Sequence, residues 1–391
     1  MEERMGRRTT MSDIARRAGV SRVAVSYALN GRPGVSQAVR ERILRIAAET
    51  GFNPSVPAQA LHGAAAHAIG LVLSRPAPGL AVESFRRRLI GGVQAELAGR
   101  GFGLVLQFTG GPEEELDVYR RWHGERRVDG VIVCDLRVAD PRPGALAALG
   151  LPAVILGPPD APAAAPSGSG TRTGGLGTGG LGTGGLGTGE LGTGELGCEA
   201  GGRGGGALAY FWSDPGDAVE KVVAHLARLG HRRVARVGGP AGLLHSVLRA
   251  ERFAAACERA GLAHAVIPAD RTGEAGAHVT RRVLSSSPRP TAIVYDNDVM
   301  AVAGLSVAGE MGVAVPRDLS LVAGDDSPLC QAVRPALTVL SRDVPAYGAQ
   351  ALRLLFEVIE GGGPRRVPAP AAVLVARGST AAAPAGDPVR R

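Results

Sequence analysis

The chain has 391 residues, 45% of them hydrophobic, which is enough to bury the cores of two or three domains, and its formal net charge of +8 favours an anionic partner. The four cysteines lie far apart with no C-x-x-C pair, no histidine cluster has metal-ligand spacing, and no apolar run reaches the roughly 18 residues of a membrane span. We therefore expect no metal, no cofactor and no membrane association, and the polar N-terminus without an apolar signal region leads us to expect a cytoplasmic protein.

The positive charge is concentrated at the N-terminus, where residues 1–50 carry ten arginines against five acidic residues. A first short helix is predicted here. Thr10 followed three residues later by Asp13 is typical of a capping box, in which each residue satisfies a free backbone amide of the other. Gly19 ends the helix, because a glycine adopts the positive φ of a helix C-terminus without strain.

Two more helices follow. Ser21 is a good N-cap for a helix over roughly residues 22–29, and Ser36 for one over about 37–50. A helix, a tight glycine turn and a second helix indicate a helix-turn-helix unit, whose second helix fits the major groove of B-DNA. The pattern predicts DNA binding; a small helical bundle used for protein contact is the alternative.

The segment TMSDIARRAGVSRVAVSYALNGRPGVS closely resembles the N-terminal signature of the LacI (lactose repressor) family of bacterial transcription regulators. The resemblance implies DNA-binding positions at Thr10, Ser21, Arg22, Val23, Ala24, Ser26, Tyr27 and Asn30. By position, Arg22 and Val23 form the family's base-reading pair, and Tyr27 lies where some members place a base-reading arginine. Ser21, Ser26 and Asn30 match residues that contact the DNA backbone, whereas Ala24 replaces a common threonine. Arg22 could bind guanine through O6 and N7, with phosphate binding alone as the alternative.

A hinge is implied by the same resemblance. In the family, a short helix here orders on operator binding, and its leucine enters the minor groove and bends the DNA. Leu61 stands at the leucine position with Ala58 before it, and Gln59 replaces the usual arginine. Because Gln59 carries no charge, we expect somewhat weaker binding to DNA and a smaller salt dependence. A plain flexible linker is the alternative.

From Ile69 onward, short buried-strand runs such as IGLVL alternate with helical segments, and the alternation resumes after residue 206. This pattern is typical of an α/β fold with parallel, doubly wound sheets, and two such series predict two Rossmann-like lobes with a cleft between them. The LacI-family resemblance extends over this part, for example in TAIVYDNDVMAVAGL and LVARGST, and implies a periplasmic-binding-protein-like effector domain. Between the two series, residues 158–206 contain a five-residue Gly-rich repeat, which we expect to be a disordered insertion.

The resemblance also implies an effector site in the cleft. Its candidate residues are Ser74, His245, Arg249, Asn297 and Asp325. The Asn297 amide and the Asp325 carboxylate suit a polyhydroxylated ligand, because together they donate to and accept from neighbouring hydroxyls. Val247 occupies the position of the arginine that is typical of sugar-responsive members, so His245 and Arg249 are the candidate substitutes for it. Gly157 occupies the position of the family's acidic residue in the first lobe.

These observations predict a ligand-responsive, sequence-specific DNA-binding regulator, expected to be a repressor that a small sugar-like effector releases from its operator. The expected partners are a near-palindromic double-stranded DNA operator, the effector and a second copy of the chain in a homodimer.

The alternatives are a two-lobed sugar-binding protein without a DNA role, which would have no use for residues 9–61, and a Rossmann-type oxidoreductase, for which RVGGPAG is a poor fingerprint. With no G-x-S-x-G elbow or paired-carboxylate motif, we do not expect an enzyme.

The expected domain organisation has six parts. They are a helix-turn-helix head (1–53), a hinge helix or linker (54–67), the first lobe (68–157), the Gly-rich insertion (158–206), the second lobe with crossover strands returning to the first (207–380) and a disordered tail (381–391).

Overall fold

The computed structural model describes residues 9–29, 33–52, 65–74, 84–159 and 208–384. The chain divides into two compact units, Met1–Ala68 with Trp122–Asp129, and Ile69–Arg121 with Gly130–Arg391. The first contains three consecutive helices, referred to here as the head; the second contains two mostly parallel β-sheets. Helix-turn-helix geometry and an α/β body are therefore confirmed as the fold class. Among the described helices, none has both the length and the hydropathy needed to cross a bilayer.

The head helices begin and end where the local sequence predicts. They are α1 (Met11–Ala18), α2 (Arg22–Leu29) and α3 (Gln37–Glu49). The Thr10 hydroxyl accepts from the Asp13 amide at 3.3 Å, and the Asp13 carboxylate accepts from the Thr10 amide at 3.0 Å, which completes the capping box. Gly19 ends α1 with a φ of 66°, and the Ser21 hydroxyl caps α2 by accepting from the amide of Ala24 at 3.1 Å.

The three head helices share one small core. Its buried residues are Ile14, Ala15, Ala18, Val25, Ala28, Ile43 and Ala47. Ile14 is on α1, Val25 on α2 and Ile43 on α3, and all three are fully buried. Because burial of such a side chain contributes about 1.5–3 kcal/mol, this core fixes which face of α2 remains exposed.

The first lobe is built on a six-stranded sheet with the order β11-β5-β4-β3-β1-β2. Its strands are β1 (Ala68–Leu73), β2 (Gly103–Phe108), β3 (Gly130–Val133), β4 (Ala153–Leu156), β5 (Leu208–Trp212) and β11 (Arg365–Pro368). The helices of this half are α4 (Ser84–Arg100), α5 (Pro112–Gly124), α6 (Arg142–Leu149) and α12 (Val344–Ile359). The strands from β1 through β3, β4 and β5 to β11 pair in parallel, so their carboxyl ends meet at one edge.

The second lobe is built on a six-stranded sheet with the order β12-β10-β9-β8-β6-β7. Its strands are β6 (Arg233–Gly238), β7 (Ala263–Pro268), β8 (Ala292–Tyr295), β9 (Ser320–Ala323), β10 (Thr338–Ser341) and β12 (Val373–Val375). The helices of this half are α7 (Pro215–Arg228), α8 (Leu244–Arg259), α9 (Gly273–Leu284), α10 (Asp298–Glu310) and α11 (Pro328–Ala332). All pairs are parallel except β10 with β12, which is antiparallel.

The described chain crosses between the two lobes three times. The crossings follow β5, β10 and β11, since β5 and β11 belong to the first sheet and β10 and β12 to the second. The range 207–380 therefore contributes strands to both lobes. Of the expected Gly-rich insertion, residues 160–206 lie outside the described residues.

The C-terminal tail begins later than the sequence suggests. Residues 381–384, expected to be disordered, continue the second lobe. The amide of Ala381 donates to the Ser320 hydroxyl at 3.2 Å, and the amide of Ala383 donates to the carbonyl of Leu229 at 2.8 Å. The expectation is wrong for these residues because their backbone amides find acceptors on the lobe; residues 385–391 lie outside the described residues.

Helices α4 and α12 of the first lobe touch backbone to backbone through glycines. A Cβ added to Gly92 would collide with the Pro345 carbonyl, and one added to Gly348 would lie 2.6 Å from the Leu89 carbonyl oxygen. The close approach lets side chains on both sides of the contact, Leu89 and Leu352 among them, join the first-lobe core.

Gly92→Ala should destabilise the protein strongly. The added methyl has no space against the α12 backbone, and such overpacking costs typically about 1–3 kcal/mol. The neighbouring Gly91 is the matched control, because it is exposed on the same helix and an added Cβ meets nothing within 4 Å. Gly91→Ala should stabilise α4 by about 0.5–1 kcal/mol. Urea denaturation of both variants checks the pair, and equal stabilities would contradict the backbone contact.

Candidate functional site

One face of α2 is exposed and the opposite face is buried in the head core. Arg22 and Val23 are exposed, Val23 to 59%, and Tyr27 lies one turn further along the same helix, 36% exposed. Val25 and Ala28 point the other way and are buried. Arg22 and Val23 thus lie in the first turn of the second helix, the part of a helix-turn-helix unit that contacts base edges, and Tyr27 lies one turn further on the same exposed face.

The remaining predicted DNA-binding positions have mixed surroundings. Thr10 and Ser21 are exposed, and their hydroxyls cap α1 and α2. Ala24 and Ser26 are half-buried. The Tyr27 ring lies against Gly34, where an added Cβ would be 3.2 Å from the ring carbon Cδ2. The other four predicted positions, Asn30, Ala58, Gln59 and Leu61, lie outside the described residues.

A second candidate site is a cavity of about 130 Å³ between the two lobes. Its charged lining residues are Arg86 and Asp135 from the first lobe, and Arg249, Arg271, Asp325 and Arg342 from the second lobe and its crossover. Phe85, Trp212 and Tyr347 supply aromatic surface. A larger adjoining cavity of about 540 Å³ shares Asp135 and Arg271 with the first. Most of these residues follow strand carboxyl ends, where doubly wound sheets bind ligands.

The buried carboxylate of Asp296, directly after β8, organises the second-lobe wall of this cavity. It accepts hydrogen bonds from Arg236 Nη2 at 2.6 Å and Arg249 Nη1 at 3.1 Å, and Arg271 Nε lies 3.9 Å from its second oxygen. Burial raises the pKa of Asp296, but the charges of Arg249, Arg236 and Arg271 outweigh burial and hold it well below its usual range. The ionised carboxylate therefore holds Arg249 at the cavity wall by a hydrogen bond and attracts Arg271 from 3.9 Å.

Asp325, predicted as an effector contact, lines the cavity, and its side chain is 12% exposed. Its nearest arginine nitrogen is Arg271 Nη2 at 3.9 Å, which is beyond hydrogen-bond distance. Burial raises the pKa of Asp325, and Arg271 and Arg249 oppose the rise. Among the described residues, none donates a hydrogen bond to this carboxylate, so its oxygens can accept from ligand hydroxyls.

His245 and Arg249 also line the cavity, each already bound to a charged neighbour. His245 Nε2 lies 3.0 Å from Arg271 Nη1. Burial, together with the charges of Arg271 and Arg249, lowers the pKa of His245 to about 3. The ring is therefore neutral at pH 7, and because arginine can only donate, Nε2 accepts and orients Arg271.

Asn297 and Ser74 do not line the 130 Å³ cavity. Asn297 is 2% exposed and caps α10: its Oδ1 accepts from the Met300 amide, and its Nδ2 donates to the Arg271 carbonyl, both at 2.9 Å. Backbone partners thus take one N–H and one lone pair of the amide, and the predicted role of Asn297 as a direct effector contact stays a prediction. Ser74 lines the larger adjoining cavity, with its hydroxyl 3.2 Å from that of Thr109.

Sequence reasoning missed several residues of the site. They are Arg86, Asp135, Trp212, Arg271, Asp296 and Arg342. A usable signal was present, since each except Arg86 follows or ends a strand of one of the two sheets. The rule that ligands bind beyond strand carboxyl ends would have selected them.

Comparison with known proteins identifies the family. Residues 10–55 match bacterial regulatory proteins of the lacI family, and residues 223–380 match the periplasmic binding protein-like domain. A LacI family transcriptional regulator from Bifidobacterium animalis subsp. lactis is 31% identical, with 81% of this chain and 98% of that one covered and a TM-score of 0.64. The transcriptional regulator CelR in complex with cellobiose is 27% identical, with coverages of 95% and 100% and a TM-score of 0.63.

The fold is also that of the Lac repressor dimer bound to operator and an anti-inducer, at 22% identity, coverages of 96% and 100% and a TM-score of 0.73. This chain belongs to the LacI family of bacterial regulatory proteins.

Proposed function

We propose that this chain is a transcription repressor that binds operator DNA through α2 and is released by a small sugar-like effector bound between the lobes. One observation supports the proposal above all: a single LacI-family chain contains both features. They are an α2 face with Arg22 and Val23 exposed, and an interlobe cavity lined by charged residues from both lobes. The chain acts by binding, as regulators do, and not by catalysis, and its site of action is bacterial DNA in the cytoplasm.

On DNA, Arg22 is the residue that we propose for base recognition. It lies in the first turn of α2, and a guanidinium there can donate both hydrogen bonds to O6 and N7 of a guanine. Ser21 and Ser26 contact phosphates and position the helix without reading sequence. Two copies of the head in a homodimer, the assembly named for the Lac repressor neighbour, would read a near-palindromic operator.

In the cavity, Asp325 accepts from effector hydroxyls while Arg249 and Arg271 donate. Cellobiose in the CelR complex supports a carbohydrate as the class of effector. Because the lining comes from both lobes, a bound effector favours one relative position of the lobes. It changes operator affinity only as far as it binds the two arrangements with different affinities. The segment 54–67, between the head and the lobes, is the hinge through which this difference reaches the DNA.

Selection from a random duplex library should enrich a near-palindromic sequence, and Arg22→Ala should lower affinity for that sequence more than affinity for random duplex. The loss of one bidentate base contact corresponds to about 1–3 kcal/mol of discrimination. Arg45→Ala is the control, because it removes the same charge from an exposed position on α3 and should leave the ratio of the two affinities unchanged. Fluorescence anisotropy titrations measure both affinities. No enrichment would refute the proposed function, and equal losses for Arg22→Ala would make Arg22 a phosphate contact.

Asp325→Ala should abolish release of the operator by effector while leaving operator binding without effector intact. The head does not depend on this carboxylate, whereas the effector would lose its acceptor. Asp326→Ala is the matched control, because the Asp326 carboxylate is bound to Arg377 at 2.7 Å instead of lining the cavity. The measurement is operator anisotropy during titration with cellobiose and other sugars. Release that persists in Asp325→Ala would show that the effector binds elsewhere.

A further inference from the structure

The interlobe cavity of about 130 Å³ carries an excess of positive charge. Four arginines line it, Arg86, Arg249, Arg271 and Arg342, against two aspartates, Asp135 and Asp325, which is a formal excess of two charges (four minus two). A neutral sugar does not require such an excess, since uncharged donors and acceptors can satisfy its hydroxyls. The question is which of these arginines lacks a compensating carboxylate.

On the first-lobe side, the charges cancel. Arg86 Nη2 forms an ion pair with the carboxylate of Asp135, and the Arg86 side chain is only 9% exposed. This pair leaves no net charge for a ligand to neutralise.

On the second-lobe side, one carboxylate is divided among three arginines. Asp296 binds Arg236 at 2.6 Å and Arg249 at 3.1 Å, and Arg271 lies 3.9 Å from it. Asp325, the second-lobe carboxylate that lines the cavity, lies 3.9 Å from Arg271. Within 4 Å of the three guanidinium groups of Arg236, Arg249 and Arg271, the described residues thus place two carboxylates, Asp296 and Asp325.

Arg342 follows β10 at the crossover to the first lobe and is the fourth cation of this side. Its Nη1 donates to the Ser213 hydroxyl at 3.4 Å, and no carboxylate of a described residue forms an ion pair with it. Burial lowers the pKa of Arg342, and repulsion from Arg249 adds to this effect more than Asp325 offsets it. Confinement of an uncompensated cation is unfavourable, and an anion in the cavity would relieve it.

We propose that the effector is an acidic sugar, whose carboxylate or phosphate group is bound by Arg342 together with Arg249 and Arg271. Charge-assisted hydrogen bonds from guanidinium groups are about twice as strong as neutral ones, and the planar fork matches both anions. The hydroxyls of the same ligand reach Asp325, and the aromatic side chains of Trp212 and Tyr347 offer apolar surface to its ring. The inference rests on the proposed function, because it specifies the effector of that same cavity.

Isothermal titration of the full-length protein with matched pairs of sugars tests the proposal. The probes are glucose with gluconate, glucuronate and glucose 6-phosphate, and galactose with its corresponding acids and phosphate. We expect at least one acid to bind at least tenfold more tightly than its neutral counterpart. Whether the carboxylates or the phosphates show this preference identifies the anion.

Arg342→Gln should abolish the preference for the acid, so that the affinity for the acid falls at least tenfold further than the affinity for the neutral counterpart. Arg342→Lys should retain part of the preference, since it keeps the charge without the planar fork. Arg282→Gln, which removes a charge from an exposed position on α9, should behave as the parent. Without ligand, Arg342→Gln should keep or raise the melting temperature, because it removes an uncompensated cation; this readout also reports whether the variant folds.

The proposal is overturned if neutral sugars bind as tightly as the matched acids, if Arg342→Gln retains the preference, or if no member of either series binds. The selection of duplex DNA on the same preparation is independent of these outcomes. An enriched operator together with a failed sugar series would refute the acidic effector and leave the DNA-binding function standing.

Discussion

The carboxylate of Asp296 is the constraint on which the effector site depends. It follows β8 and binds Arg236 on β6 and Arg249 on α8, with Arg271 after β7 nearby, so that one buried charge joins three elements at one sheet edge. Removal of one partner from a buried ion pair costs typically about 3–5 kcal/mol, so this cluster tolerates little change. The same carboxylate orients Arg249 by a hydrogen bond, and Arg271 is oriented by His245. The cationic wall that a ligand meets is therefore set by a residue that does not line the 130 Å³ cavity.

The arrangement of the lobes explains how such a wall could control DNA binding. The described chain crosses between the lobes after β5, β10 and β11, and residues near the first two crossings, Trp212 and Arg342, line the cavity. A ligand that touches both lobes and their crossovers contacts the segments whose conformation must change if the lobes move. On the first lobe, α4 and α12 pack against each other at Gly92 and Gly348 with no space for a side chain.

The sequence predicted the head well and the effector site in part. Capping by Thr10 and Ser21 and the turn at Gly19 depend on residues within three or four positions, so local pattern was sufficient. Asp325 was also placed correctly in the cavity. The contacts of His245 and Asn297 with Arg271 could not be predicted, because Arg271 is 26 residues away in each case and only the fold brings them together. Arg342 was missed because its distinguishing feature is that no carboxylate of a described residue forms an ion pair with it. That feature depends on which side chains the strand ends bring together at the cleft.

The central claim is that occupation of the cavity and binding of the operator are coupled within one molecule. Linkage requires the coupling to be reciprocal: an effector that weakens operator binding by a given factor must itself bind more weakly to the operator complex by the same factor. The direct measurement uses the tightest-binding sugar of the matched series and the selected operator, with each dissociation constant determined with and without saturating amounts of the other. The account predicts two equal factors, of about 5–150 for a typical coupling of about 1–3 kcal/mol. If both ligands bind and neither affinity responds to the other, the two sites are independent and the account is contradicted.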